Sequence, residues 1–451
     1  MACRVVLIGG GSYGWTPTLA GDLFLRPVLD GSTLALVDTD PVAAEEMRRY
    51  CLLVARSVGC CWNVIVQPLS EALNGADFVC VSITTGGFEA MANDYGIPEQ
   101  YGVYHTVGDT VGPGGISRTL RNVPVFVDIA HQMERLCPGR PMIHVTNPLS
   151  QLTRAVALET DVPCVGLCHN YAGTVSMLAG YFGVEERDIH AVSVGVNHFT
   201  WMKDLTVKGK PADHELTLDR YLKMLEEGRG ERKSNTTDDA IQQALAHGNP
   251  EYYFNFVLHE RFGSFPVGSS NHVAENLPFY CNRPDMLEQY HIRRKGVLPR
   301  RQELRDRAVH RVRAVLTGEQ PLPQPNASNE AFATIVESLH TGKPGRAIVA
   351  MPNRGQVSNL PAGVVVETWA EINGSGIHPL MSGPIPQGLT GMMQAIVDEE
   401  EMAVRAAITG DEGLVARALA LSPMLHDKES AGELARALLQ ANRRWLPQFS
   451  L

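Results

Sequence analysis

No apolar run in this chain approaches the roughly 18 residues that a membrane-spanning helix requires, so no membrane segment is expected. The opening stretch, residues 1–10, is apolar for only a few positions before glycines interrupt it. It is too short for a secretion-signal core and lacks a cleavage signature. It reads instead as a strand that begins at once. Positive charge is in deficit, with 39 Lys and Arg against 49 Asp and Glu and a formal net charge of −10. Nothing here would neutralise phosphates in bulk, which excludes a nucleic-acid or anionic-membrane binder. A disulfide framework is missing too. The nine cysteines, at 3, 51, 60, 61, 80, 137, 164, 168 and 281, are odd in number and follow no framework spacing. A reducing, cytoplasmic setting is the expectation. The signature of disorder is equally absent, because 44% of residues are hydrophobic and only 20% charged. The 451 residues give two ordinary domains' worth of globular chain.

What is present begins with a β-branched run, Arg4-Val-Val-Leu-Ile8, that ends on Gly9-Gly10-Gly11-Ser12-Tyr13-Gly14. Gly9, Gly11 and Gly14 fit G-x-G-x-x-G, and a helical stretch follows with Pro17 near its start. About 20 residues on, Leu34-Ala-Leu-Val37 forms a second strand that ends at Asp38. Strand, glycine turn, helix, strand and acidic residue together make the dinucleotide-binding pattern. Glycines let the backbone approach a pyrophosphate, and the helix N-terminus supplies N–H donors and the positive end of its dipole. Asp38 is the acceptor for a ribose 2′-hydroxyl, which favours NAD over NADP. The plain alternative is a tight glycine turn without a cofactor.

Three more apolar runs keep the same rhythm. Residues 76–83 end at Thr84-Thr85-Gly86-Gly87, residues 141–145 at Thr146-Asn147-Pro148, and residues 164–167 at Cys168-His169-Asn170. In a doubly wound sheet ligands sit at the carboxyl ends of strands. These polar endings are therefore expected to converge, with Ser12 and Thr84 joining the cofactor contacts.

Several segments match one family in order: Gly9 to Pro17, Gly108-Asp-Thr-Val-Gly-Pro-Gly-Gly-Ile116, Thr146-Asn-Pro148, Cys168-His-Asn170, Gly195-Val-Asn-His198, Arg261-Phe-Gly263 with Ser269-Ser-Asn-His272, and Asn359-Leu-Pro361. The sequence resembles glycoside hydrolase family 4, the NAD- and divalent-metal-dependent glycosidases. The resemblance spans residue 9 to about residue 390. It implies a redox route that departs from two-carboxylate glycoside hydrolysis: oxidation at C3 of the sugar by NAD, deprotonation at C2, elimination of the aglycone, addition of water, and return of the hydride. It implies Cys168 and His198 as ligands of Mn²⁺, a soft thiolate and an imidazole that suit a transition-metal ion. It further implies Asn147, Asn170 and His272 as substrate contacts, Asp109 as the acid on the glycosidic oxygen, and His169 within reach of a sugar hydroxyl or the leaving oxygen. Arg118 is either a substrate contact or the partner of an acid.

One departure stands out. Many members carry a tyrosine, the C2 base, where this chain has Asn276, and an amide cannot remove a proton. Tyr280, four residues on, and a metal-bound hydroxide are the substitutes, and the base stays open between them. No Lys or Arg occurs from Gly86 until Arg118, so cations for a 6-phosphate are missing there. The Cys-His form at 168–169 looks like the branch acting on unphosphorylated α-glycosides, which includes α-glucosidases, α-galactosidases and uronidases. A uronic acid would want an extra cation, for which Arg118, Arg154 and Arg261 are the candidates.

The expected fold is α/β: a Rossmann-type doubly wound NAD-binding domain over residues 1–194, then a second α/β domain over 195–451 for substrate binding and oligomerisation. Gly195 to Met202 reads as a buried strand that carries His198. Residues 208–249 read as a charged, helical insertion, with one helix over Leu218 to Leu225. The basic stretch 290–316 reads as a solvated helix face with Glu303 and Asp306 as partners, rather than a nucleic-acid patch. Residues 318–326 read as a loop, 347–351 and 363–367 as strands, and 389–446 as helical. The leading function is an NAD- and Mn²⁺-dependent α-glycosidase on small-molecule glycosides of an unphosphorylated sugar or uronic acid, working as a homodimer or homotetramer. An NAD-dependent sugar, polyol or hydroxy-acid dehydrogenase and a catalytically silent NAD-binding regulator are the alternatives.

Overall fold

The structure is a computed structural model that describes residues 2–226, 251–281, 283–292, 294 and 297–450. The insertion expected beyond residue 226, together with Arg293 and Lys295 of the basic stretch, lies outside the described residues.

Six parallel strands form the first half: β1 (Arg4–Ile8), β2 (Thr33–Val37), β3 (Asn63–Val66), β4 (Phe78–Val81), β5 (Met142–His144) and β6 (Cys164–Gly166). Their spatial order is β3-β2-β1-β4-β5-β6, the dinucleotide-binding arrangement with its switch point between β1 and β4. The five strands inside this order, β2 to β6 by way of β1, read as continuous apolar runs because both faces are covered, whereas the edge strand β3 is exposed at both ends. Val6 and Ile8 of β1 point into one core with Ile116, Leu120, Val123 and Phe126 of the long helix Gly112–Leu136. Val5 and Leu7 point into the other, with Leu19 and Leu23 of the helix Trp15–Phe24 and Met47 of the helix Pro41–Ser57. The second of these helices starts where Asp40 accepts from the N–H groups of Val42 and Ala43, an ordinary N-cap.

The strands β7 (Ile189–Val196) and β8 (Phe199–Val207) pair antiparallel up to Val196 opposite Phe199. Asn197 and His198 are the two-residue turn between them. The single strand expected over Gly195 to Met202 is therefore a hairpin tip. His198 sits there with φ +62°, and Gly195, at φ +148° and packed against the Phe199 carbonyl, precedes it. A two-residue turn with His198 in the left-handed region leaves the apolar pattern unbroken on either side, which is why the pattern read as one strand. Two-residue strands β9 (Lys210–Pro211) and β10 (Phe265–Pro266) pair with β8.

The chain then returns to the first sheet. β11 (Gly345–Pro352) pairs antiparallel with β6 through Ala350 and Gly166, and β12 (Val365–Asn373) and β13 (Gly376–Pro379) follow outward. Residues 345–379 thus extend the nine-stranded sheet that the first half began. The expected helix at 218–225 is present as Leu218–Glu226, the basic helix as Val297–Thr317, and the C-terminal helices as Thr390–Thr409, Glu412–Leu421 and Ala431–Asn442. No described helix is long and apolar enough to cross a membrane.

Candidate active site

The glycine turn closes directly over β1. Gly9 takes φ +88°, and a Cβ there would stand 2.0 Å from the Ser82 carbonyl oxygen, so only glycine fits. The Gly11 N–H donates to Asp38 Oδ2 at 2.8 Å, and a Cβ on Gly11 would meet that carboxylate at 2.9 Å. Asp38 is thus fixed at the end of β2, where its other oxygen accepts from the Asp40 N–H. Gly14 caps the helix Trp15–Phe24 with nothing within 4 Å of the place its Cβ would take. Ser12 Oγ accepts from the Trp15 N–H at 3.1 Å. Thr84 stands exposed past the end of β4. An open helix N-terminus, a bare glycine and an anchored carboxylate fit a dinucleotide.

The neighbouring strand ends carry the rest. β4, β5 and β6 are adjacent and parallel, so Thr84, Asn147 and Cys168 come out on one edge of the sheet. The Ile83 N–H donates to Thr146 Oγ1 at 3.0 Å, tying two of these ends together. The Asn147 carbonyl accepts from Arg118 Nε at 2.9 Å and from Asn122 at 3.4 Å. Its peptide bond to Pro148 is cis.

His198 faces this edge from the hairpin tip. Its Nδ1 is 2.8 Å from Thr110 Oγ1, which leaves Nε2 as the ligating nitrogen. The His272 ring stands nearly perpendicular to it, with centroids 4.6 Å apart. Burial holds His198 down at about 4 and His272 at about 3, so both imidazoles are neutral. Cys168 is half-buried beside Leu149, Ala350 and Val365. Burial, helped by the nearby Glu367 carboxylate, pushes its thiol well up, so a cation would displace a proton on binding. Asn170, at the start of the helix Asn170–Phe182, is buried with its amide nitrogen unpartnered. A neutral imidazole and a displaceable thiol fit a transition-metal ion. Among the described residues no three His, Cys, Asp or Glu gather as a metal cage, so a cation held here would keep positions open for sugar oxygens and water.

The proton-handling groups differ from one another. Burial alone would raise Asp109, but Arg301, then His198, Arg118 and His272, hold it far below the ordinary carboxylate range. Arg301 donates to its Oδ2 at 3.0 Å and Thr110 to its Oδ1 at 3.1 Å. Asp109 therefore enters the site as an anion, an acceptor rather than the donor expected from the sequence. His169 is the more open group, its side chain 58% exposed, with Nδ1 3.3 Å from Glu330 Oε1. That contact raises its proton affinity. Tyr280 is not gathered with these residues. Its ring lies 4.9 Å from the Arg261 guanidinium carbon and packs near Phe254 and Tyr290.

Asn276, where a tyrosine was looked for, has a visible task. Its Nδ2 donates to the carbonyls of His198 and His272, each at 3.1 Å. Its neighbour Glu275 is the hub of the site. One carboxylate oxygen accepts from His105 Nδ1 at 3.0 Å and from the N–H groups of Thr106, Val107 and Gly108 at 2.8–2.9 Å. Glu275 thereby fixes the loop that carries Asp109 and Thr110. Glu367 does the same for the hairpin tip, accepting from Asn197 at 2.9 Å and Thr200 at 3.1 Å, and burial lifts it to about 7. Sequence reading passed over both. A charged residue closing the apolar run of β12 was the available signal for Glu367. Arg301 was hidden inside a basic run. The solvated-face reading holds for Arg307, paired with Glu303 at 2.6 Å, but Arg301 turns inward to Asp109, because that buried carboxylate requires a counter-charge.

Two family models match in succession: family 4 glycosyl hydrolase over residues 4–184, and the family 4 glycosyl hydrolase C-terminal domain over residues 193–425. The chain belongs to glycosyl hydrolase family 4. Among individual relatives, it is 31% identical to an alpha-galacturonidase of Thermoanaerobacterium saccharolyticum, over 99% of this chain and 97% of that one. Its structure superimposes on that of a putative glucosidase from Bacillus subtilis with a TM-score of 0.83 at 28% identity, covering 97% of this chain and 100% of that one. A 6-phospho-alpha-glucosidase from gut microorganisms, solved in complex with NAD and Mn²⁺, shares the fold at a TM-score of 0.82 and 20% identity, covering all of both chains.

Proposed function

We propose that this family 4 glycosidase cleaves α-linked glycosides of galacturonic acid, an unphosphorylated sugar acid, by the redox route, with NAD and Mn²⁺ as cofactors. The observation that carries the reading is the gathering of Cys168, His198, Asn147 and the anionic Asp109 at the strand edge beside the glycine turn. The likeness to an alpha-galacturonidase along the whole chain supports the choice of sugar.

In this reading a bound dinucleotide would supply reversible hydride transfer and a bound cation would supply Lewis-acid polarisation of sugar oxygens. Gly9, Gly11, Ser12, Gly14, Asp38 and Thr84 hold the dinucleotide. Cys168 and His198 hold the cation, with Thr110 orienting the imidazole as an outer partner. Asn147, Asn170 and His272 bind sugar hydroxyls. Asp109, kept ionised by Arg301, accepts hydrogen bonds from the substrate, its proton affinity being too low for it to act as the base. His169, open to the cleft and oriented by Glu330, delivers the proton to the leaving oxygen. Asn276 contributes position rather than proton transfer. The same reading places the enzyme in the cytosol as a homodimer or homotetramer, which sedimentation of the purified protein tests.

The decisive assay mixes reduced protein, NAD⁺ and Mn²⁺ with 4-nitrophenyl α-galacturonide, and follows nitrophenol and NADH together. Nitrophenol release that requires both cofactors, without net NADH, is the expected result. NADH accumulating with turnover and no nitrophenol would replace the glycosidase by a dehydrogenase. NAD binding without turnover on any α-glycoside would favour a silent regulator.

A further inference from the structure

Two arginines are buried among the described residues, Arg118 and Arg121. They lie one turn apart on the helix Gly112–Leu136 and are satisfied in opposite ways. Arg121 grips Asp94 with Nη1 and Nη2, each 2.8 Å from a carboxylate oxygen, and reaches the Ser117 hydroxyl and the Thr85 carbonyl as well. Its charge is cancelled inside the protein. Arg118 uses only Nε, on the Asn147 carbonyl. Among the described residues no acceptor meets its two terminal nitrogens, and they are not sealed from solvent. Asp109 lies near enough to contribute to its field but makes no hydrogen bond to it, and a mostly buried guanidinium whose terminal nitrogens meet no acceptor is unfavourable unless a ligand completes it.

Its position says which ligand. Arg118 is anchored to the end of β5 at Asn147 and contributes to the field on Asp109 alongside His198 and His272. It therefore looks onto the sugar side of the cleft. The other cations that an acidic sugar would use are engaged. Arg154 forms a fork on Glu401 at 2.6 and 3.1 Å. Arg261 lies over the Tyr280 and Tyr290 rings. Arg301 is committed to Asp109 and the Val107 carbonyl.

We propose that Arg118 is the receptor for the carboxylate at C6 of the substrate, donating two parallel N–H bonds from Nη1 and Nη2 to the two carboxylate oxygens. The proposal rests on the galacturonidase reading and names the side chain that makes it specific. A neutral hydroxymethyl group at C6 leaves the guanidinium without an anion, so a galactoside is disfavoured. Lysine in its place keeps the charge and loses the fork.

The test uses the holoenzyme with NAD⁺ and Mn²⁺ and the variants Arg118→Met and Arg118→Lys. It measures kcat/KM on 4-nitrophenyl α-galacturonide and α-galactoside, and by calorimetry the binding of free galacturonate, galactose and NAD. The expected result is a fall in the galacturonide-over-galactoside ratio of about 100-fold in Arg118→Met and less in Arg118→Lys, with galacturonate binding lost in parallel. Equal losses for both sugars would overturn the proposal and leave Arg118 a packing residue. A larger loss of NAD binding would place the guanidinium on the cofactor's phosphates and overturn it too. If the parent enzyme cleaves no galacturonide, the galacturonidase reading fails while binding still decides Arg118. A preference for galacturonate over galactose that disappears in Arg118→Met keeps the receptor, and no preference in the parent removes it. Should Arg118→Met fail to fold, Arg118→Lys supplies the same comparison.

Discussion

On the cofactor side of the cleft, Gly9, Gly11, Gly14 and Asp38 fall within one strand–helix–strand unit, where Gly9 is dictated by the Ser82 carbonyl and Gly11 packs against the Asp38 carboxylate. On the sugar side, the residues come from the 105–110 loop, the ends of β5 and β6, a hairpin tip, the helix Ser270–Asn276, the basic helix and β12. The first region is made by local conformation. The second is held by side-chain bonds between segments far apart in the chain, above all those of Glu275, Asn276 and Glu367. The two regions should therefore fail independently when mutated, and the sugar side should be the more fragile.

The largest effect expected is at the cation. Cys168→Ser should lower metal-stimulated turnover by about 1,000-fold or more, since a Lewis acid is worth several kcal/mol to the transition state, while NAD affinity by fluorescence titration stays near the parent's. A joint loss of NAD affinity would break the separation of the two regions. Next comes the hub. Glu275→Ala should lower kcat/KM by about 100-fold through displacement of the Asp109 loop. It should also cost about 3 kcal/mol of stability by denaturant titration, because buried N–H groups are left unpartnered. Glu275→Gln keeps an oxygen acceptor and should recover much of both; no recovery would mean that the charge matters rather than the latch.

On the cofactor side, Asp38→Ala should weaken NAD by about 10-fold, the worth of a hydrogen bond to a charged acceptor, with metal affinity unaltered by calorimetry. Unchanged NAD affinity would remove Asp38 from the ribose. The smallest effect concerns pH. Glu367 and Glu399 are both lifted by burial from the ordinary glutamate value of 4.5 to about 7. A raised carboxyl binds its proton more tightly in the folded state, so its stabilising contribution is full below about 4.5 and is lost as pH rises through about 7. The melting temperature should drop by about 2 °C or more between pH 5 and pH 8. Glu399→Gln, which cannot ionise, should shrink that drop. A drop as large as the parent's would assign the pH dependence elsewhere.

Much of the fold was legible. Five of the six parallel strands announced themselves as apolar runs bounded by polar turns, because burial on both faces of the sheet forces continuous hydrophobicity; β3, an edge strand with both ends exposed, gave no such run and was passed over. Three misreadings have physical causes. The turn at Asn197-His198 was invisible because a two-residue hairpin preserves the alternation on either side. Arg301 looked like its solvated neighbours because nothing local distinguishes a guanidinium that turns inward. Asn276 looked like a lost base, although its amide bonds to two backbone carbonyls that no pattern brings together.

The sequence by itself determined the glycine turn, the acidic end of β2 and the membership of family 4, whose motifs single out Cys168 and His198 as the proposed cation ligands. These are set by backbone conformations that few residues can adopt or by short segments that retain their order. Only the tertiary structure decided that Asp109 is an anion held by Arg301, that Glu275 and Asn276 latch two loops from one short helix, and that the terminal nitrogens of Arg118 meet no described acceptor while those of Arg121, one turn away, grip Asp94. The reason is that pairing and burial of charges depend on which distant segments pack against each other, and local sequence does not carry that information.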